Sequence, residues 1–330
     1  MNPAVPVQPS LSASERSQLG AKGVARYVEL LGVLRDGLDV LDDKPEETPE
    51  TALRALWLLA AGKAVSARAA SECPIGSLNE SQAALLDDLL WQRLRGTPLA
   101  HLTGRQHFMG IEMLAGPQAL IPRRETELLG LAAVAVLEEV AATRDTPVVL
   151  DVCTGSGNLA IGMACAVPSA QVLAADLSTD AVSLARRNVE FLGLQSRVEV
   201  RQGDLLDPFD EPSLRQTIDV LVCNPPYISS GKVDSMPPEI AEHEPALAFD
   251  GGPFGVRIIQ RLIQDAPRML RQGGWLAFEV GLGQGPSVMR RMAASKCYED
   301  IRALTDEHGD ARAILGRVVA SAGQSAFMAK

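Results

Sequence analysis

The chain has 330 residues, enough for one large domain with a smaller one beside it. Hydrophobic residues make up 46% and charged residues 22%, which excludes a disordered or fibrous chain, and the net charge of −10 argues against nucleic acid as the main partner. The five cysteines (Cys73, Cys153, Cys165, Cys223, Cys297) form no CxxC pair and the four histidines no HxxxH spacing, so no metal site is expected. Cys165 and Cys223 sit in apolar runs and read as buried thiols.

Residues 1–10 are proline-rich and lack the basic start and apolar core of a signal peptide. The longest apolar runs, such as 56–61, are too short to cross a bilayer. A cytoplasmic protein away from membranes is expected. Ser12-x-x-Glu15 resembles a capping box opening a long amphipathic helix to about residue 41. An acidic linker follows over 42–49. Helical patterns then cover 50–62 and, from an Asn79-x-x-Gln82 start, reach Arg95. Residues 1–97 are thus predicted to be a small helical domain. Residues 98–122, punctuated by Gly104, Gly110 and Gly116, read as a β-hairpin linker.

Residues 123–330 carry the remaining domain. Strands are predicted at 147–153, 171–177, 198–203, 218–223 and 275–281, with helices at 159–166, 180–192 and 256–270 between most of them. That alternation predicts an α/β fold, a doubly wound, mostly parallel sheet of Rossmann-like type. Residues 313–320 are expected to add a last strand at the sheet edge.

The turn after the first of these strands reads Asp151-Val152-Cys153-Thr154-Gly155-Ser156-Gly157. Its glycines let backbone approach a ligand at the carboxyl end of the sheet. Asp176 ends the second strand, where a carboxylate can accept both ribose hydroxyls of a nucleoside. Dinucleotide binding by a dehydrogenase uses the same logic, but Ala160 stands where its third glycine belongs. Asp204 is expected to end the third strand and face an adenine amino group. Three acidic strand ends repel a pyrophosphate and tolerate a sulfonium, which favours S-adenosylmethionine; the bland alternative is that all three are turn residues.

The fourth strand runs into Asn224-Pro225-Pro226-Tyr227. Two prolines remove two backbone donors and stiffen the chain, leaving carbonyl oxygens to point outward. Asn224 adds a side-chain acceptor. Two fixed acceptors can hold both hydrogens of one planar NH2 group and aim its nitrogen at a methyl donor. They also stabilise the positive charge that grows there. Tyr227 is placed to stack on the planar group.

At this point the sequence resembles the HemK-type protein-(glutamine-N5) methyltransferases over about residues 89–317. Besides Asn224 to Tyr227, Leu120-Ile121-Pro122-Arg123-Arg124-Glu125-Thr126-Glu127 looks like the family's I-P-R-P-E-T-E signature, 98–108 like its interdomain stretch, and Glu244-Pro245, Ala248 and Gly251-Gly252 like its E-P…G-G segment. The resemblance implies a class I S-adenosylmethionine-dependent methyltransferase acting on the Gly-Gly-Gln glutamine of class I peptide-chain release factors. It assigns substrate recognition to the helical residues 1–97. It implies that Asp151, Val152, Cys153, Thr154, Gly155 and Gly157 line the methionine part of the cofactor, that Asp176 takes its ribose, with Leu177 also among the cofactor contacts, and that Asp204 and Leu205 lie by the adenine. Asn224, Pro225, Pro226 and Tyr227 would hold the glutamine amide, with Phe108, Arg123 and Glu125 closing the site. Three departures stand out: Cys153 in place of glycine, Arg124 in place of proline, and Pro253-Phe254-Gly255-Val256 in place of an acidic residue, Gly and Leu. They leave open another protein glutamine or a small amide as substrate. A nucleic-acid base is a more distant alternative, and a non-catalytic binding module would require loss of cofactor binding.

Overall fold

The computed structural model describes residues 11–41, 43–233 and 236–319 and divides into two compact units, residues 1–107 and 108–330. The proline-rich opening read above, residues 1–10, lies outside the described residues.

The first unit is helical: α1 (Ala13–Gly37), α2 (Pro49–Ala60), α3 (Ala67–Glu72), α4 (Glu80–Leu94) and α5 (Leu99–Thr103). Both predicted N-caps are present, Ser12 with Glu15 on α1 and Asn79 with Gln82 on α4. Gly20, at φ 64°, kinks α1. The Glu15 carboxylate does more than close its cap. It accepts from Ser12 N at 2.8 Å, from Arg54 Nη2 at 2.6 Å and from Ile75 N at 3.2 Å. Burial alone would raise its pKa, but the Ser12 amide, Arg54 and the Ile75 amide together pull it down to about 2. The pattern over 98–122 needed correction: 99–103 is helix, and only β1 (Arg105–Phe108) and β2 (Ile111–Leu114) form the hairpin.

The second unit runs α6 (Thr126–Ala141), β3 (Val148–Val152), α7 (Asn158–Ala166), β4 (Gln171–Asp176), α8 (Thr179–Phe191), β5 (Val198–Gln202) and β6 (Ile218–Cys223). Short α9 (Ser230–Val233) and α10 (Pro238–Ala241) precede α11 (Arg257–Asp265), β7 (Leu270–Glu279), α12 (Gly285–Ala294), β8 (Tyr298–Thr305) and β9 (Ala311–Val318). The sheet order is β5-β4-β3-β6-β7-β9-β8. The pairs from β5 across to β7 are parallel, while β9 is antiparallel to both of its neighbours. Side chains alternate across the sheet with period two. Val149, Val220 and Val222 join residues of α6, α7 and α8 in one core, while Leu150, Val152, Leu221 and Cys223 join α11 and α12 in the other. This is the doubly wound α/β arrangement that the alternation of strands and helices predicts.

Two expectations fail here. The strand expected over 313–320 is β9, and it lies inside the sheet because β8, not foreseen, takes the edge. Cys165 is exposed at the end of α7, whereas Cys223 is buried as expected; an apolar helix of nine residues still turns some positions outward. Among the described residues no helix is long and apolar enough to cross a membrane.

The Glu15–Arg54 pair yields a test. Arg54→Met strands a buried carboxylate and is expected to cost the first unit about 3 kcal/mol. Native-state hydrogen exchange of the α1 and α2 amides measures it. Because the Glu15 pKa is depressed, its contribution is present above pH 4.5 and is lost as pH falls towards 2.

Candidate active site

A cavity of about 380 Å³ opens beyond the carboxyl ends of β3, β4 and β6, within the size range of small-molecule sites. Cys153, Thr154 and Gly155 reach it from the turn after β3, Asp176 and Leu177 from the end of β4, and Asn224 and Pro226 from the end of β6. Strand order reverses between β3 and β6, which splays the connections apart and leaves this crevice.

The turn after β3 is tightly held. Gly155 N donates to Asp176 Oδ2 at 2.8 Å, and Ser178 N donates to Asp176 Oδ1 at 2.9 Å. Burial pushes the Asp176 carboxyl up, countered by these amides and that of Leu177. Each carboxylate oxygen keeps a further lone pair for a vicinal diol. Leu177 and Leu205 supply apolar walls. Cys153 has φ 57°, a left-handed backbone that suits the glycine it replaces. Gly157, at φ 84°, does not line the cavity; a Cβ there would meet Ala185 Cβ at 3.3 Å, so it serves the packing of α7 on α8.

Asp151 is also absent from the lining. It is wholly buried, accepts from Thr154 Oγ1 at 2.6 Å and from Ala160 N at 3.1 Å, and so caps α7 from below. Burial raises its pKa to about 7. Asp204 lies two residues beyond β5 and does line the cavity, but Arg261 grips both its oxygens, at 2.8 and 3.2 Å. The acidic crowding expected from three strand ends is therefore reduced to Asp176. Val152 is a core residue, wholly buried.

At the end of β6, Asn224 Nδ2 donates to Thr126 Oγ1 at 3.1 Å, which turns Asn224 Oδ1 away from α6. Among the described residues neither the Pro225 nor the Pro226 carbonyl accepts a hydrogen bond. The Pro225 ring is buried, and Pro226 borders the cavity. Tyr227 does not. Its hydroxyl donates to Glu279 Oε1 at 2.9 Å and lies 3.4 Å from Glu125 Oε1, which corrects the expectation of a stacking ring. Phe108 is likewise removed from the site: 1% exposed, it packs in the core with Met113, Leu129 and Leu159.

The segment after β6 folds back over the motif. Ile228 bridges to Asp250, and a Cβ on Gly251 would lie 2.5 Å from the Pro226 carbonyl oxygen. A Cβ on Gly255 would lie 2.1 Å from that of Tyr227. Only glycine permits this approach. Gln284 Nε2 then donates to the Tyr227 carbonyl at 3.0 Å. Arg123 lines the cavity and is ion-paired with Glu244, whose second oxygen accepts from Ile121 N at 2.9 Å. Glu125 pairs instead with Arg312 of β9. Arg123 and Glu125 thus hold separate partners, and Arg124 between them is exposed.

Residues 131–252 match the family described as Methyltransferase small domain. A relative from Geobacter sulfurreducens, called release factor glutamine methyltransferase, is 34% identical over 73% of this chain and 80% of its own length. One of the same name from Caulobacter vibrioides is 32% identical over 84% of this chain and 92% of its own. The chain belongs to the release factor glutamine methyltransferase family. Of solved structures, the hMettl16 catalytic domain is 16% identical over 63% of this chain and 76% of that one, with a TM-score of 0.49.

Several members of the site escaped the sequence reading. Thr126 was visible only as part of a signature; Glu279 and Gln284, which meet Tyr227, and Arg257 and Arg261, which line the cavity from α11, were not visible at all, because only the fold brings them there. Gly255 carried a signal, a glycine between apolar residues in a loop, whose meaning depends on Tyr227 lying against it. Two substitutions test the local geometry by thermal melting. Gly255→Ala is expected to destabilise by about 1–3 kcal/mol through overpacking. Cys153→Gly relieves a left-handed backbone worth about 1–2 kcal/mol against the roughly 0.5–1 kcal/mol entropy penalty of glycine. It is expected to be neutral or slightly stabilising.

Proposed function

We propose that the protein transfers a methyl group from S-adenosylmethionine to the N5 nitrogen of the glutamine in the Gly-Gly-Gln loop of class I peptide-chain release factors. The observation that carries this reading is the pairing, at one cavity, of Asn224 and Pro226 of the Asn-Pro-Pro turn with a carboxylate at the end of β4, Asp176, in a chain of this family. When bound, S-adenosylmethionine supplies an electrophilic methyl group on a sulfonium. The residues present suit it. Of the residues that line the cavity, Asp176 has lone pairs for the ribose hydroxyls, Leu177 and Leu205 would offer faces for the adenine, and Cys153, Thr154 and Gly155 would form the floor for the methionine part. Asp204, held by Arg261, would border the adenine.

An amide nitrogen is a poor nucleophile because its lone pair is delocalised. Asn224 Oδ1 and the Pro225 carbonyl can each take one N–H of the glutamine amide, fixing its plane so that the lone pair faces the methyl group. The same two dipoles stabilise the charge that develops on nitrogen. No general base is required, since the proton leaves after transfer. Tyr227 acts from behind, through Glu279, and the first, helical unit serves to choose the substrate protein. A substrate used in translation places the enzyme in the cytoplasm.

Labelled S-adenosylmethionine with a release factor, alongside its Gly-Gly-Gln Gln→Ala variant, tests the reading: label is expected on the wild type alone. Label on neither, with cofactor binding intact, points to another amide. Asn224→Ala is expected to lower turnover by about 100-fold or more. Calorimetry should find cofactor affinity within a few-fold of wild type; its loss would mean that Asn224 holds the cofactor instead.

A further inference from the structure

Behind Asn224 lies a buried carboxylate. Glu279, the last residue of β7, is 1% exposed, and its Oε2 is buried without a hydrogen-bond partner. The Tyr227 hydroxyl donates to Oε1 at 2.9 Å. From α6, the Thr126 side chain favours the ionised form of the same carboxyl, and its oxygen accepts from Asn224 Nδ2 at 3.1 Å. The other charged groups facing this cluster are Glu125 and Arg312, which are paired with each other.

A hydroxyl carries one hydrogen. If Thr126 gives it to Glu279, the Thr126 oxygen can only accept from Asn224. The Asn224 amide must then turn its NH2 inward and its Oδ1 towards the cavity. If residue 279 were instead a donor, the Thr126 hydrogen would point outward, Asn224 would turn over to receive it, and its NH2 would confront the NH2 of the substrate. Two donors would then oppose each other and an acceptor would be lost.

We propose that Glu279 is a positioning residue: through the Thr126 hydroxyl, its carboxylate sets the direction of the hydrogen-bond chain that presents Asn224 Oδ1 to the substrate amide. The proposal rests on the reading of Asn224 as the amide-holding residue. Burial pushes the Glu279 carboxyl up to about 7, and Glu125 adds to the rise, while Thr126, Tyr227 and Arg312 counter it. The carboxylate that directs Asn224 is therefore lost as pH falls through about 7, and methyl transfer declines on that side.

The test combines Glu279→Gln, Thr126→Val and Thr126→Ser. The first two are expected to lower kcat by about 10–100-fold, the scale of losing a hydrogen-bonding group that orients a contacting residue from behind. The KM for S-adenosylmethionine should stay within a few-fold. Thr126→Ser, which keeps the hydroxyl, should recover most of the activity, and the acid limb near pH 7 should vanish in Glu279→Gln. Stability moves the other way. A carboxyl whose pKa is raised above its usual 4.5 by folding destabilises the fold as pH climbs from 4.5 to about 7. Glu279→Gln should thus melt no lower than wild type at pH 8, and a large drop would mark a merely structural residue.

One readout is independent of turnover. The side-chain NH2 signals of Asn224 in a 15N-labelled protein, identified by their absence in Asn224→Ala, should titrate near pH 7 in the wild type and stay flat in Glu279→Gln. Unchanged kcat and pH profile in Glu279→Gln, or Asn224 signals that ignore pH in the wild type, would overturn the proposal. Failure of wild type to methylate a release factor sinks the substrate assignment instead, and leaves the NMR titration to decide the relay.

Discussion

Parallel pairing of β3 with β6 sets Val152 beside Cys223, and from that register Cys153 and Asn224 leave the sheet as neighbours. One strand end carries the glycine-containing turn and the other the acceptor edge, so a single ladder brings the two halves of the site within reach of each other. The register is enforced by burial. Val220 and Val222 point into one core and Leu221 and Cys223 into the other, so a slip of one residue would exchange the two sets and send Asn224 to the wrong face. Precision at the cavity is thus supplied by apolar packing on both sides of the sheet, not by the polar residues that line it.

A second layer converts that placement into fixed orientation. The turn after β3 is pinned from the side by Asp176 and from below by Asp151, and the acceptor edge is held by Thr126 at Asn224 and by Glu279 and Gln284 at Tyr227. These supports are buried, where the local dielectric is low and a hydrogen bond missed or reversed is costly. Glycines at 251 and 255 let the returning segment lie directly on the two carbonyls at the end of the motif.

The fold class was legible because alternating strand and helix patterns are local properties. So was the outline of the site, since Asp176, Gly155 and Asn224 sit where strands end, and strand ends follow from hydrophobic periodicity. The reading went astray where a residue's role depends on the direction its side chain takes. Asp151 lies on the strand face that points under α7, so it became a cap and not a cofactor contact. Tyr227 and Phe108 turned to partners that only tertiary structure supplies. β8 was missed because it alternates weakly, being half covered at a sheet edge, and that omission made β9 look like the last strand. Glu279, read as an interior residue of the strand over 275–281, gave no hint of the Tyr227 hydroxyl that meets it.

The placement of β9 bears on how the enzyme becomes active as it is made. Arg312 reaches Glu125 across 187 positions of sequence, and β9 can enter the sheet only after β7 has formed and β8 has emerged to pair beside it. Contacts of such separation form late, because the loop they close must be ordered first. The carboxylates around Tyr227 therefore stay uncompensated until almost the whole catalytic unit has been synthesised. A nascent chain on the ribosome can fold its helical unit early, yet it acquires a finished active site only once β9 has been made.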